Sequence, residues 1–435
     1  VNGDGANTAL GGNGSGGTIA GKTGADGSTT AGIGIYLNST SNVVLRRMTI
    51  NGNHQNYGIR GLAVNGFVLE YSTVSGTNGT NGTIGTYGEG GVYFGGATGL
   101  TGLTGSATVT SSVFSGARAR NFSVVNTSGT LNRLTITNSS FGLTNNASDN
   151  DSLALEARNA GTVLNATVTG STFTGAAGDI GDFTGQTGTT MDVVFQNNTV
   201  SNSHPLNNIG GGGMTFATQG SYTFNASNNT FRDANGSAIT LFKASAGTLL
   251  SGTFANNTIG VSGVANSGSA TGNGIFLSAA GSGTITLAIT NNQIRRYSGN
   301  AAIFADNTGG NYTVNLTATG NVAAEPGGGA FAGLALTAGA PASSDAIAVC
   351  AQLGGAGALR NDFSAGDPAN ANDIILGVST GASSMRLPGY AGASLAAVQT
   401  FVFNNNNFAG TAVTAYVDPP ATAANFTGGA ACPQP

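Results

Sequence analysis

Asp149, Asp151, Asp179 and Asp182 are the residues whose type and spacing come nearest to chemistry. Two reactions of acids are open to them. Loop carboxylates can form the flexible oxygen cage that calcium prefers. Two carboxyls within about 5–10 Å of each other can also cleave a glycosidic bond. The plainer reading is four solvated loop acids, and it fits them better, because the tandem GGxGxD calcium signature does not occur. His54 in NGNHQN and His204 in SNSHPL are far apart and read as loop residues. Glu156 and Arg158 alternate and face one side, as do Arg118 and Arg120, and for the first pair a surface ion pair is sufficient. Tyr57, Tyr87, Tyr93 and Tyr390 are candidates for exposed rings that touch glycans. Cys350 and Cys432 make a redox pair, either one disulfide or two reduced thiols. In a chain that has left the cell the disulfide is the better reading. No catalytic set, cofactor or metal site is assigned, with calcium at the four aspartates kept as the one cofactor alternative.

The elements that must carry these residues are short and repetitive. One phrase alternates apolar residues, passes through Asn, Ser or Thr, and closes on one apolar residue. It reads NVVLRRMTING (42–52), SATVTSSVFSG (106–116), MDVVFQNNTVSN (191–202) and ITLAITNNQIRR (285–296) among other copies. The closing residues are Ile50, Val74, Phe114, Phe141, Phe173, Val200, Phe231, Ile259 and Ile294, at uneven steps of 24 to 40 residues. A second phrase lies between copies of the first: GVYF (91–94), FSVV (122–125), LALEA (153–157), AITLF (238–242), GIFLS (274–278) and AIFA (302–305). Each phrase has the period of a strand with one buried face. Coils of roughly 30 residues, with strands in register and loops of varying length, account for the spacing. In such a stack Asn197, Asn198, Asn228, Asn229, Asn256, Asn257, Asn291 and Asn292 form polar ladders at the corners. Asn tolerates left-handed backbone, and its amide can bond its own copy one rung away.

These phrases resemble the bacterial secreted right-handed parallel β-helix proteins of the pectate-lyase-like superfamily, and among them the Gly/Asn/Thr-rich β-strand repeat proteins. The resemblance rests on the NNTF-type phrases and covers about residues 32–320. It implies an all-β solenoid of about ten or eleven coils with modified terminal coils. Residues 1–31 form a Gly/Asn-rich segment or first coil and 32–325 the β-helix. Residues 326–435 begin with a Gly/Ala/Pro-rich break at 326–341 and end in coils locked by the cysteine pair. GASLAAVQTF (392–401) and DAIAVCAQL (345–353) are short helices or further strands.

Catalysis in that superfamily needs acids on neighbouring coils, so aligning the second phrase is a test. It puts Glu156, Ala217, Phe242, Ser278 and Ala305 in one column, and Ala157, Thr218, Lys243, Ala279 and Asp306 in the next. No two carboxylates stack, and the phrases NTD, DD, GHG and RIK of the polygalacturonases are missing. Charged residues are 7% of the chain, with 14 basic and 18 acidic. Basic clusters stop at Arg46-Arg47 and Arg295-Arg296, so no nucleic-acid footprint is present. No apolar run approaches the ~20 residues of a membrane helix. Val1 follows no leader, and the chain reads as a mature or cut product found outside the cell or on its surface. The expected function is a structural rod whose partner is itself, in a filament, sheath or surface layer. A surface adhesin that binds extracellular glycans is the alternative, and a polysaccharide lyase or hydrolase the further one.

Overall fold

The computed structural model describes residues 1–3, 6–12, 17–80, 88–95, 101–145, 151–203, 211–244, 247, 249–340, 344–365, 372–379, 382–408, 415–418 and 420–435. It forms two compact units, Val1–Thr215 and Phe216–Pro435. In both, the recurring phrases become three files of parallel strands, and the chain is a parallel β-helix.

In the first unit one file contains Ile33–Asn38, Tyr57–Leu62, Val92–Gly95, Phe122–Asn126, Leu153–Ala157 and Gly181–Gly185. The second contains Ser41–Arg46, Val64–Glu70, Leu103–Thr110, Thr130–Thr137, Val163–Thr169 and Thr190–Gln196. The closing residues of the first phrase build the third, a file of two- and three-residue strands. There Ile50 pairs with Val74, Val74 with Phe114, Phe114 with Phe141, Phe141 with Phe173 and Phe173 with Val200. All six are buried, and Phe114, Phe141 and Phe173 stack at centroid separations of 4.9 and 4.6 Å. Such ring pairs add roughly 0.5–1.5 kcal/mol each beyond their area. The uneven sequence steps are therefore even steps in space, because insertions fall in loops.

The second unit repeats the plan. Phe231, Ile259, Ile294 and Ala323 succeed one another in its short-strand file. Strands Ile275–Thr290 and Ala301–Thr319 each run through two files. At one rung a large inward side chain is matched to a glycine: a Cβ on Gly252 would lie 2.4 Å from the ring of Phe224, its register partner.

The Asn-Asn pairs divide their work. Asn197, Asn228, Asn256 and Asn291 are exposed and turn the corner at φ of 55–56°. Left-handed backbone costs most L-residues about 1–2 kcal/mol and Asn less, which is why Asn recurs there. Only the second Asn of each pair enters the ladder. In the second unit the amide N–H of Asn229 donates to Asn257 Oδ1 (3.0 Å), Asn257 to Asn292 (2.9 Å), Asn292 to Asn321 (3.0 Å), Asn321 to Asn361 (3.0 Å) and Asn361 to Asn406 (3.2 Å). In the first unit serine does this task. Met48 N–H donates to Ser72 Oγ, Ser72 to Ser112, Ser112 to Ser139, Ser139 to Ser171, and Ser171 to Asn198 Oδ1. Assigning Asn197, Asn228, Asn256 and Asn291 to the ladder is thus corrected, since their side chains stand outside the corner.

Of the expected break at 326–341, the described residues 326–340 continue the stack. Strand Ala332–Ala338 pairs with Ala301–Thr319 on one side and Ile374–Val378 on the other, and its small side chains are buried. DAIAVCAQL supplies strand Ala348–Leu353. GASLAAVQTF starts the helix Leu395–Asn404, N-capped by Ser394 and burying Val398 and Val402. This helix also takes the first half of the strand-like phrase FVFNNNNF, because Leu395, Ala396 and Ala397 propagate a turn that the cap nucleates. Its last turn receives the ladder: Asn406 Nδ2 donates to Val402 O at 2.9 Å. Cys350 and Cys432 form a disulfide across 82 residues. Among the described residues no helix is long and apolar enough to cross a membrane.

Candidate functional site

Three of the four aspartates come together on the outer side of the first unit, and Asp149 lies outside the described residues. Leu153 and Gly181 are register partners. Asp151 and Asp179 each precede one of them by two residues, so they hold equivalent places on successive turns. The Asp179 N–H donates to Asp151 Oδ1 at 3.1 Å. Asp182 is not a loop residue but lies within strand Gly181–Gly185, opposite Ala154.

One strand of this file escapes the alignment of the second phrase. GDFTG (181–185) has one large apolar residue, Phe183, and alternation alone does not reveal it as a strand. With that turn restored, Glu156 is followed by Thr184. A second slip is one residue long. Ser278 faces Asp306 rather than Ala305, and Ala279 faces Asn307 rather than Asp306. In these strand columns no carboxylate faces another; the acids that meet are Asp151 and Asp179, which precede the strands of successive turns.

Each acid has defined partners. Asp179 accepts the Gly212 N–H at 2.6 Å and the Thr215 hydroxyl. Asp182 accepts the Thr184 hydroxyl at 2.6 Å. Asp151 faces the Arg120 guanidinium at 3.4 Å, with both side chains about 15% exposed. Glu156 is paired to Arg158 at 2.7 Å and accepts from Gln186 at 3.2 Å. Burial lifts the Asp151 carboxyl well above the usual range against the pull of Arg120, and Asp182 and Asp179 add to the rise. Burial likewise raises Asp182 to about 6, opposed by Thr184 and Arg120 and reinforced by Asp179 and Glu156. Crowded carboxyls in a poorly solvated place share protons in this way. The upward shifts favour a proton held within the group, with an ionised carboxylate beside it, as pH falls below neutral. Arg120 and Glu156, singled out above only for their alternating spacing with Arg118 and Arg158, are joined to the aspartates by the fold. Among the described residues no group of three or more His, Cys, Asp or Glu side chains is arranged to hold a metal ion.

The remaining candidates lie elsewhere. His54 is buried, its Nδ1 accepts the Lys22 N–H at 3.1 Å, and burial lowers its pKa. His204 and Tyr87 are outside the described residues. Tyr57, Tyr93 and Tyr390 are buried rather than exposed. Tyr57 and Tyr93 stack at 5.6 Å with the Arg60 guanidinium over both rings, and Tyr390 packs on Phe401 of the helix. These rings are filled by the protein's own residues and offer no platform to a sugar. Lys243 points inward, where its ammonium donates to the carbonyls of Ala280 and Ser282 and sits over the Tyr312 ring. Arg118 reaches the carbonyl of Asn145.

The chain matches no protein-family model, and comparison with curated proteins and with solved structures finds no similar protein.

Proposed function

We propose that this chain is an extracellular structural subunit that assembles end to end through its β-helix, within the secreted bacterial part of the pectate-lyase-like superfamily. One observation carries the reading. Among the described strands, Ile33–Asn38 pairs with Tyr57–Leu62 alone, and Ala415–Asp418 with Ile374–Val378 alone. Among the described residues no strand pairs with the other side of either one, the helix Leu395–Asn404 packs against Ala415–Asp418, and an unpaired strand edge is a template for another strand. Because the pairing is parallel throughout, one end's free edge is complementary to the other kind of end, not to itself. Such a heterologous contact gives an open filament rather than a closed dimer.

Electron microscopy and sedimentation velocity of the purified chain over a range of concentrations test this. Filaments that lengthen with concentration, and that Tyr416→Lys on the Ala415–Asp418 strand prevents, are expected. A single small species at every concentration would remove the proposal.

The carboxylate group favours a second reading, glycan cleavage, in which a protonated Asp151 or Asp182 serves as the acid and its ionised neighbour as the base. Release of reducing or unsaturated sugar from a polysaccharide panel, abolished in Asp182→Asn, is the outcome this reading needs. No release from any member of the panel disposes of it.

A further inference from the structure

The geometry points to a binding site for one neutral monosaccharide unit beneath the Cys350–Cys432 bridge. A cavity of about 270 Å³ lies there within the second unit, between strand Ala348–Leu353, the turn at Pro388-Gly389, the helix Leu395–Asn404 and the returning tail. Its lining includes Gln352, Leu353, Pro388, Phe401, Gly429 and Ala431.

Three properties of this lining select the ligand. None of its lining side chains is ionisable, and the Arg386 guanidinium behind Gly429 is engaged by the Ala430 carbonyl, so a charged ligand would lose hydration with no lining charge to replace it. Phe401, Pro388 and Leu353 give an apolar surface, and the Phe401 ring is fixed edge-on by Tyr390 at 5.7 Å. Opposite chemistry comes from the Gln352 amide and the backbone of the glycine-rich segments, which can donate to and accept from hydroxyls. A sugar ring combines an apolar C–H face with a hydroxyl rim. The volume is just below the ~300–1,000 Å³ of drug-sized sites and suits one ring, not an oligosaccharide.

One wall of the cavity is the tail, and the tail is tied down at several points. Arg386 Nη1 donates to Ala430 O, Gly389 N–H donates to Gly429 O at 3.3 Å, and Gln434 Nε2 donates to Thr317 Oγ1 at 2.7 Å. The disulfide fixes Cys432 against Cys350 between these ties. The bridge is one of these ties, and opening it loosens the wall that Gly429 and Ala431 form, so occupancy falls on reduction. This inference is independent of end-to-end assembly.

Saturation-transfer NMR and calorimetry test it, using neutral hexoses, 6-deoxyhexoses and N-acetylhexosamines beside a uronic acid and glucosamine. At least one neutral sugar should bind saturably and the charged ones should not. Gln352→Ala, at a half-buried position and with its fold checked by circular dichroism, should weaken binding about tenfold, a 1.4 kcal/mol change. Phe401→Ala and Cys432→Ser should weaken it at least as much. Binding of the methyl glycoside as well assigns the pocket to a glycan end, and binding of the free sugar alone assigns it to a monosaccharide. Absence of any neutral-sugar signal, or unchanged affinity in both Gln352→Ala and Phe401→Ala, overturns the inference.

Discussion

Replacing Asn292 by alanine removes one rung of the amide ladder and nothing else of size. Its Oδ1 accepts both the backbone N–H of Asn257 (2.9 Å) and the Asn257 Nδ2 (3.0 Å). Its own Nδ2 donates to Phe254 O (3.0 Å) and Asn321 Oδ1 (2.9 Å). The side chain is fully buried, so water cannot step in freely. Two buried donors on Asn257 lose their acceptor, at about 1–3 kcal/mol each, giving about 2–6 kcal/mol in all. That is a large part of the ~5–15 kcal/mol that holds a typical domain. Asn291, one residue earlier, is the internal control: exposed and left-handed, it should lose only about 1 kcal/mol on change to alanine and almost nothing on change to glycine. Urea unfolding followed by far-UV circular dichroism is the assay, because the chain has no Trp. Hydrogen exchange at Ala226–Asn229, Phe254–Asn257 and Ile289–Asn292 then locates the loss. Equal midpoint shifts for Asn292→Ala and Asn291→Ala would refute the assignment of the second Asn to the ladder.

Three further outcomes follow from the same structure. Phe141→Ala, in the middle of the Phe114–Phe141–Phe173 stack, should destabilise the first unit by about 3–5 kcal/mol, and Phe141→Leu by under about 1.5 kcal/mol; a denaturant midpoint series checks both. Opening the 82-residue disulfide loop by Cys432→Ser should cost about 4–5 kcal/mol on the chain-entropy argument, seen as a lower thermal midpoint that reducing agent reproduces in the wild type. The Asp182 carboxyl, raised to about 6 in the folded protein, binds its proton more tightly there than when unfolded. Its unfavourable contribution is therefore present above pH 6 and relieved as pH falls from 6 toward 4. Asp182→Asn should raise stability at pH 7.5 and flatten that part of the pH profile, and an unchanged profile would contradict the shift.

Much of the architecture is legible in residue order. The closing apolar residues from Ile50 to Ile294 all land in the short-strand file, because a buried inward position tolerates little besides large apolar side chains. The Asn-Asn pairs mark the corners for an equally plain reason. What they do not show is the division of labour within each pair, since identical side chains are placed in different roles by backbone φ alone. Serine in the ladder of the first unit is hidden for a related reason: Ser72, Ser112, Ser139 and Ser171 look like any surface serine in a Ser-rich chain. The aspartates are visible as a set, Asp149, Asp151, Asp179 and Asp182, but their arrangement is not. It depends on a register that GDFTG, with one large apolar residue, does not announce, and on a loop-to-strand change at Asp182. The burial of Tyr57 and Tyr93 is not legible because a tyrosine at a Gly-flanked strand position says nothing of what packs over it, and here Arg60 does.

Cryo-electron microscopy of the oxidised chain at high concentration tests the central claim most directly. The account predicts filaments in which parallel strands continue across the subunit junction at about 4.8 Å per rung, with Ala415–Asp418 of one copy beside Ile33–Asn38 of the next. Isolated particles at every concentration, or filaments joined through the sides of the coils with both terminal strands left unpaired, would contradict it.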